Sequence, residues 1–400
     1  MPTDVSHPAR PHKGFSLVDL IYEPKSRGLI FQVLLALAII WLGYEVVTNT
    51  ITNLKKQNTA SGFDFLGRTA GFDISQSLIE YTNTMSYGRA FWVGLLNTIL
   101  VAVLGILFAT ILGFLIGIGR LSQNWLVAKL CTVFVEIVRN VPLLLQLFIW
   151  YFAVLKVLPG PRQSIELPLG AYLNVRGLYF PAPQWQDGIG TVVVALGVAI
   201  ALAIGLHVWA RRRQLATGEQ FPSILVGLGL VLVLPVLAFL AMGLPVTFSY
   251  PELKGFNFVG GTVVQPEFVA LLMGLSIYTA AFIAEVVRSG ILGVSKGQKE
   301  AAAALGLKPS LSMRLVVIPQ AMRIIIPPLT NQYLNLTKNS SLAVAIGYPD
   351  LVSVFAGTVL NQTNQAVECI LITMGVYLTL SLLTSLLMNW FNARMALVER

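Results

Sequence analysis

Apolar residues in this chain come in long, nearly unbroken runs, not in the alternation of a half-buried strand or the one-sided stripe of a soluble helix. A bilayer core takes about 20 consecutive apolar residues per helix. Eight windows of that kind, bounded by charged or turn residues, run approximately from Leu29 to Val47, Phe91 to Ile118, Thr132 to Leu155, Thr191 to Trp209, Ile224 to Leu244, Phe268 to Val287, Ile324 to Val344 and Val367 to Phe391. The pattern predicts an all-α polytopic membrane protein with about eight transmembrane helices. The first window follows a polar stretch and is trailed by Glu45 and Thr48 instead of a small-residue cleavage site, so it reads as a permanent helix and not a signal peptide.

Composition agrees with this reading. Of the 400 residues, 56% are hydrophobic and 11% charged, where soluble domains carry roughly a quarter charged residues. Cytoplasmic flanks of membrane helices hold an excess of Lys and Arg. With the N-terminus inside, one side collects Arg10, Lys13, Lys25, Arg27, Arg120, Lys129, Arg139, Arg211 to Arg213, Arg288, Lys296, Lys299, Lys308, Arg314, Arg323, Arg394 and Arg400, against eight basic residues on the other. Both termini are therefore expected in the cytoplasm. The net charge of +9 follows from this asymmetry and anionic lipid; no soluble basic domain or aromatic platform points to nucleic acid.

Three composition breaks interrupt the helices. Thr48 to Arg89 mixes Asn, Thr, Gly and Asp, Pro159 to Pro183 is rich in Pro and Gly, and Gly243 to Pro266 resembles it. The two very apolar helices between the last two breaks, joined by Arg211, Arg212 and Arg213, read as an insertion at about 159–266 within a domain of 91–391. Residues 1–90 then hold the cytoplasmic N-terminus, the first helix and a periplasmic segment.

The segment that carries chemistry is Ser295 to Arg323, S-K-G-Q-K-E-A-A-A-A-L-G-L-K-P-S-L-S-M-R-L-V-V-I-P-Q-A-M-R, between the sixth and seventh spans. Ser295 and Gln298 have the S-x-x-Q spacing of a capping box, and Glu300 falls in the first turn, where the helix dipole favours an anion. Ala301 to Ala304 combine high helix propensity with little bulk, and Gly306 suits a left-handed C-terminal cap. The expectation is a short smooth helix with a sharp end, followed by a second helix from Ser310 toward Pro319. Small side chains allow another protein to approach closely.

The same segment resembles the EAA motif of ABC importer permeases, E-A-A-x3-G-x9-I-x-L-P. Glu300, Ala301, Ala302 and Gly306 match, Pro319 falls at the prescribed distance, and Val316 and Ile318 stand in for Ile and Leu. Phe134 to Phe152 (F-V-E-I-V-R-N-V-P-L-L-L-Q-L-F-I-W-Y-F) and Asn331 to Gly347 (N-Q-Y-L-N-L-T-K-N-S-S-L-A-V-A-I-G) resemble two further segments of the polar amino acid permeases, and the chain's length and extra helices are most similar to the general L-amino acid permeases within that group. The resemblance covers about Phe91 to Phe391. It implies a type I importer permease core, a coupling helix at Gln298, Glu300, Ala301, Ala302 and Gly306 with Pro319 beyond it, and alternating access driven by a separate dimeric ABC ATPase. It also implies a pseudo-symmetric pairing with a related permease or a second copy, and a periplasmic amino acid-binding protein that delivers the substrate.

Charges within spans mark cavities or partners. Asn331, Asn335 and Lys338, spaced i, i+4 and i+7, share one helical face bordered by Thr337 and Ser341. That face either lines the amino acid's path or binds a neighbouring helix, with Lys338 paired to an acid and Asn335 as a polar contact. Glu136 with Arg139, and Glu285 with Arg288, are each three apart near an inner helix end and read as local ion pairs or as gate contacts. Gly113 and Gly117 form a G-x-x-x-G.

Cys131 and Cys369 lie toward opposite membrane surfaces, and His7, His12 and His207 are scattered, so no disulfide, metal site or cofactor is expected. The dipeptide Gly-Lys never occurs, which excludes a P-loop, and no nucleophile elbow or metal helix is present. Catalysis in this chain is not expected. The rival transport reading, an ion-coupled secondary transporter, lacks a buried acidic pair to hold its ion.

Overall fold

The computed structural model describes residues 24–56 and 62–395. Arg10, Lys13, His7, His12 and Arg400, which entered the charge and ligand arguments above, lie outside the described residues. Within them, seven helices are long and apolar enough to cross a membrane, and one bent helix pair makes an eighth. The first, α1 (Pro24–Lys56), buries none of its described residues.

The core is built on α2 (Tyr87–Gly119) and α7 (Pro266–Leu292), which run against each other along most of their length. Ser86 opens α2 by accepting the Arg89 amide proton at 3.3 Å. Close approach needs small residues at the seam. A Cβ on Gly113 would stand 2.6 Å from Ile283 Cβ, and one on Gly117 would stand 2.8 Å from the Ala284 carbonyl oxygen. Opposite them, Ala280, Ala281 and Ala284 are fully buried. The G-x-x-x-G is thus a packing device in this fold.

The third span is not one helix. It divides into α3 (Trp125–Asn140) and α4 (Leu143–Phe148), the latter continued by a π-type turn over Ile149–Leu155, and the two parts are bent by 105°. Pro142 causes the break: its ring forces the preceding Val141 into an extended conformation (φ −99°, ψ 126°) and it has no N–H to donate. Gln146 repairs the gap by donating to the carbonyls of Val138 (2.8 Å) and Val141 (2.9 Å).

The loops flanking the two inserted helices, α5 (Ile189–Thr217) and α6 (Ser223–Ala241), form strands that the all-α expectation did not include. Ahead of them come β1 (Ile165–Leu167), β2 (Ala171–Asn174), β3 (Gly177–Phe180) and β4 (Ala182–Trp185). After them come β5 (Val246–Ser249), β6 (Glu252–Lys254), β7 (Asn257–Val259) and β8 (Thr262–Val264). The sheet order is β1-β2-β3-β8, all antiparallel, with Leu178 opposite Val264, while β4 pairs with β5 and β6 with β7. Pairing β3 to β8 and β4 to β5 brings the two flanks together, so α5 and α6 leave and rejoin the core at one place. These two helices pack mainly on each other.

Past α7 comes α8 (Lys296–Ala304), and then a helix that starts sooner than expected: α9 (Pro309–Ser312) runs through a π-type turn at Met313–Val317 directly into α10 (Ile318–Asn339). The expected stop at Pro319 does not occur, since proline is tolerated in a first turn and the widened turn before it absorbs the missing N–H. A 3-10 turn (Ser340–Ile346), a π-type segment (Val352–Val359), α11 (Leu360–Thr363) and the last span α12 (Ala366–Arg394) complete the chain.

Residues 347–363 are held at the end of the bundle away from α8 by a buried polar network. Asn97 donates to the Pro349 and Gln76 carbonyls, each at 2.9 Å, and Thr98 Oγ1 accepts from the Leu351 amide at 3.0 Å. Asp350, fully buried, accepts from the Ser353 amide at 2.8 Å and the Tyr377 hydroxyl at 3.1 Å.

The seam between α2 and α7 makes a direct prediction. Gly117→Leu forces side-chain or backbone shifts and should destabilise the protein by about 1–3 kcal/mol. Gly205→Ala in α5, with nothing within 4 Å of its Cβ position, should change stability by under about 1 kcal/mol. Thermal unfolding of the detergent-purified protein measures both, and equal melting temperatures for the two variants would contradict the seam.

Candidate functional site

Of the three predicted groups, two gather at the end of the bundle that carries α8. The first is α8 itself. It begins at Ser295, but the capping box does not form: the Ser295 side chain makes no cap bond, and Gln298 instead accepts from Gln320 Nε2 at 3.1 Å. The Gln298 carboxamide therefore links α8 to the helix that follows the loop, a contact the S-x-x-Q spacing alone does not distinguish from a cap.

The C-terminal end forms as expected. Gly306 takes φ +73° and its amide donates to Ala303 O at 2.9 Å, while the Leu307 amide donates to Ala302 O at 3.1 Å. These are the two bonds of a Schellman ending, which a left-handed glycine permits without a steric cost. Ala302 is 2% exposed and fixes the helix to the core, whereas Glu300, Ala301, Ala303 and Ala304 are exposed and Leu305 is 80% exposed. The outcome is a short ridge of small side chains with one uncovered leucine at its tip. Pro319 lies in the first turn of α10, half-buried.

The second group is the set of ion pairs. Glu285 and Arg288 pair as expected, with Arg288 Nη2 at 2.6 Å and Nε at 3.3 Å from the two carboxylate oxygens. Glu136 and Arg139 do not pair with each other. Glu136 reaches toward Arg120 at 4.0 Å, and the Arg139 guanidinium stacks 5.1 Å from the Phe282 ring centroid. The i, i+3 spacing put both side chains of that pair on a similar face, but the end of α2 draws Glu136 and α7 offers Arg139 an aromatic face.

Arg120, treated at first only as a flanking charge, is the centre of this cluster. Its side chain is 8% exposed and its guanidinium bonds Glu285 Oε2, so Glu285 bridges Arg120 at the end of α2 and Arg288 on α7. The signal available in the sequence was an arginine placed directly after a long apolar run, which reads equally well as an interfacial anchor. Beside the cluster, an apolar cavity of about 640 Å³ opens between α2, α7 and α10, lined by Phe114, Ile118, Val287, Met313, Met322 and Ile325 among others.

The third group, on α10, lies deeper. Asn331, Asn335 and Lys338 do share one face, and all three are exposed on the single chain. Lys338 has no ion-pair partner among the described residues. Thr337 points the other way: it is 3% exposed and its hydroxyl donates to Tyr333 O at 2.9 Å. Ser341 donates back to the Lys338 carbonyl at 2.7 Å. The structure thus groups Asn331, Asn335 and Lys338 and separates Thr337 from them. His207 meets Ser223 at 3.2 Å between α5 and α6, and no cluster able to hold a metal occurs among the described residues.

Glu285 is shared by two guanidiniums, so the two ends of the cluster should respond unequally to mutation. Glu285→Gln leaves the buried Arg120 without its main counter-charge and should cost about 3 kcal/mol or more. Arg120→Met leaves Glu285 still paired with Arg288 and should cost less. Chemical or thermal unfolding of the two purified variants orders them; the reverse order would show that Arg120 is not held by Glu285.

Comparison with known proteins places these features in context. Residues 220–397 match the family described as "Binding-protein-dependent transport system inner membrane component". The chain is 57% identical over 387 residues, covering 97% of it and 96% of the relative, to the "General L-amino acid transport system permease protein AapQ" of Rhizobium johnstonii. It is 52% identical to the "Putative amino-acid ABC transporter permease protein YhdX" of Escherichia coli K12, covering 94% of this chain and 96% of that one. It is 41% identical, over 98% of both chains, to the "Glutamate/glutamine/aspartate/asparagine transport system permease protein BztB" of Rhodobacter capsulatus.

Proposed function

The chain belongs to the amino acid permease family of binding-protein-dependent ABC importers, and on that premise we propose how its parts work. It is a multi-pass inner-membrane transport subunit, and the reaction that drives it is ATP hydrolysis by a partner subunit and not an ion gradient. The cargo is an amino acid delivered by a periplasmic binding protein. The α8 end of the bundle and both termini face the cytoplasm, in line with the Lys and Arg asymmetry, and the strands around α5 and α6 face the periplasm. Residues 91–391 act as the permease domain, with 159–266 inserted into it.

One observation carries the coupling assignment: a short helix, fixed by the buried Ala302 and ended sharply at Gly306, presents an uncovered small-residue ridge between two spans. Such a ridge suits insertion into a cleft of an ATPase subunit, of which two copies serve two permeases. Because α8 is joined to α7 on one side and through α9 to α10 on the other, displacement of the ridge moves both spans. Glu285, Arg288 and Arg120 tie α7 to α2 just above it and act as the gate contact at the cytoplasmic end, with Glu136 and Arg139 at its edge.

Asn331, Asn335 and Lys338 present an amide and ammonium face with no cover in the single chain. A lone ammonium at this depth costs about 2.5–3.5 kcal/mol on insertion scales, so the face belongs against a second permease, related or identical, with the translocation path between them. Thr337 and Ser341 shape the backbone there through their hydroxyl bonds.

Two outcomes are expected in vesicles reconstituted with the full complex and loaded with ATP. Glu300→Lys should lower ATP-driven uptake about tenfold or more, equivalent to losing roughly 1.4 kcal/mol at the docking contact; unchanged uptake would remove the coupling assignment. Lys338→Met should lower uptake by a similar factor while the complex still assembles, and a Lys338→Met variant that transports like the parent would remove Lys338 from the path. Uptake that persists without the ATPase would favour the ion-driven alternative.

A further inference from the structure

The insertion meets the core at one polar cavity of about 480 Å³, lined by Lys156, Arg176, Tyr179, Gln265 and Glu267 with Val175 and Pro266. That volume lies within the roughly 300–1,000 Å³ of small-molecule sites. Its walls come from four elements: the end of the π-type turn after α4, the β2–β3 hairpin, β3 and the first turn of α7.

Charges of both signs face this space, and only part of them is paired. Glu267 Oε1 accepts from the Tyr151 hydroxyl at 2.6 Å and lies 3.8 Å from Lys156 Nζ, while Oε2 accepts no bond among the described residues. Lys156 also sits 4.8 Å from the Tyr151 ring centroid, at the cavity wall. Arg176 stands at the tip of the two-residue β2–β3 hairpin, where Asn174 faces Gly177. Its backbone amide is held by Asn174 Oδ1 at 2.8 Å, and its guanidinium makes no ion pair among the described residues. Tying the π-type turn after α4 to the first turn of α7 accounts for Lys156, Tyr151 and Glu267 Oε1. It does not account for a free guanidinium and a free carboxylate oxygen on the same cavity.

We infer that this cavity is a periplasmic subsite for the zwitterionic head of an α-amino acid, with Arg176 and Lys156 receiving the α-carboxylate and Glu267 receiving the α-ammonium. A guanidinium matches a carboxylate through paired N–H groups, and a carboxylate oxygen matches an ammonium through a charge-assisted bond. Only the atoms common to all α-amino acids are engaged, so the subsite accepts many side chains. Its place at the start of α7 puts it at the periplasmic mouth, between the delivering protein and the path along α10. The inference rests on the amino acid cargo and outward-facing insertion proposed above.

The test uses the complete permease–ATPase complex in lipid nanodiscs without the binding protein, and L-glutamine as the probe in saturation-transfer NMR. L-Glutamine should give a signal with the parent complex, competed neither by N-acetyl-L-glutamine nor by L-glutamine α-amide. Apparent affinity should fall about tenfold in Arg176→Gln and in Glu267→Gln and recover only in part in Arg176→Lys, which restores the charge but not the paired N–H groups. Arg176 is exposed at a hairpin tip, so its replacement leaves the fold in place; elution of the assembled complex at the parent's volume checks this. In uptake vesicles the same Arg176→Gln change should raise KM more than it lowers the maximal rate. No L-glutamine signal with the parent, equal signals in parent and both variants, or full competition by the N-acetyl compound would each overturn the subsite. If the parent vesicles import no amino acid, the transport reading itself fails; if they import and the variants match them, only the subsite fails.

Discussion

The fold depends on the close approach of α2 and α7. In hydrocarbon there is no solvent to drive helices together, so packing must come from surfaces that fit without gaps. Gly113 and Gly117 remove the atoms that would strike Ile283 and the Ala284 carbonyl, and the facing alanines complete a smooth seam. The ion-pair cluster ties the seam's α8 end through Arg120 and Glu285, and the network of Asn97, Thr98 and Asp350 secures residues 347–363 at its other end.

Polarity along the chain was enough to find nearly all of the spans, because a bilayer-crossing helix announces itself by length and apolar content alone. Glycine at 306 was equally readable, since a left-handed ending is one of few reasons for a glycine just past a run of four alanines and a leucine. What polarity alone does not carry is how a span is interrupted. Pro142 breaks the third span by 105°, yet Pro319, Pro327 and Pro328 sit inside α10 without stopping it. The difference lies in what replaces the lost bonds. Gln146 folds back to the carbonyls exposed at Val138 and Val141, and the π-type turn at Met313–Val317 widens the helix ahead of Pro319.

Partner choice was the least legible feature. Glu285 with Arg288 and Glu136 with Arg139 have the same spacing, and only the first forms a pair. Helical neighbours at i, i+3 meet when nothing better is in reach; here the end of α2 brings Arg120 toward Glu136, and α7 brings the Phe282 face under Arg139. The capping motif at Ser295 fails for a related reason, because Gln320 on the returning helix offers the Gln298 carboxamide a cross-helix bond. The strands flanking α5 and α6 escaped notice because each is only three or four residues long and Pro- or Gly-punctuated, and pairing across more than eighty residues, as between β3 and β8, leaves no local periodicity.

One rod joins all three places where this chain meets something else. The first turn of α7 carries Glu267 at the polar cavity, its middle carries the alanine seam, its last turns carry Glu285 and Arg288, and α8 follows after a three-residue gap. A nine-residue ridge cannot store a displacement; attached at both ends to helices, it must pass it on. Since α7 is held by dry, close packing along its length, the motion available to it is rigid sliding or tilting and not bending. On the coupling proposed above, a step that changes the Glu285 pairing would also change the distance between Glu267 and the β2–β3 hairpin that carries Arg176. A single helix under this constraint would give the proposed docking ridge at one end of the bundle a mechanical route to the cavity at the other.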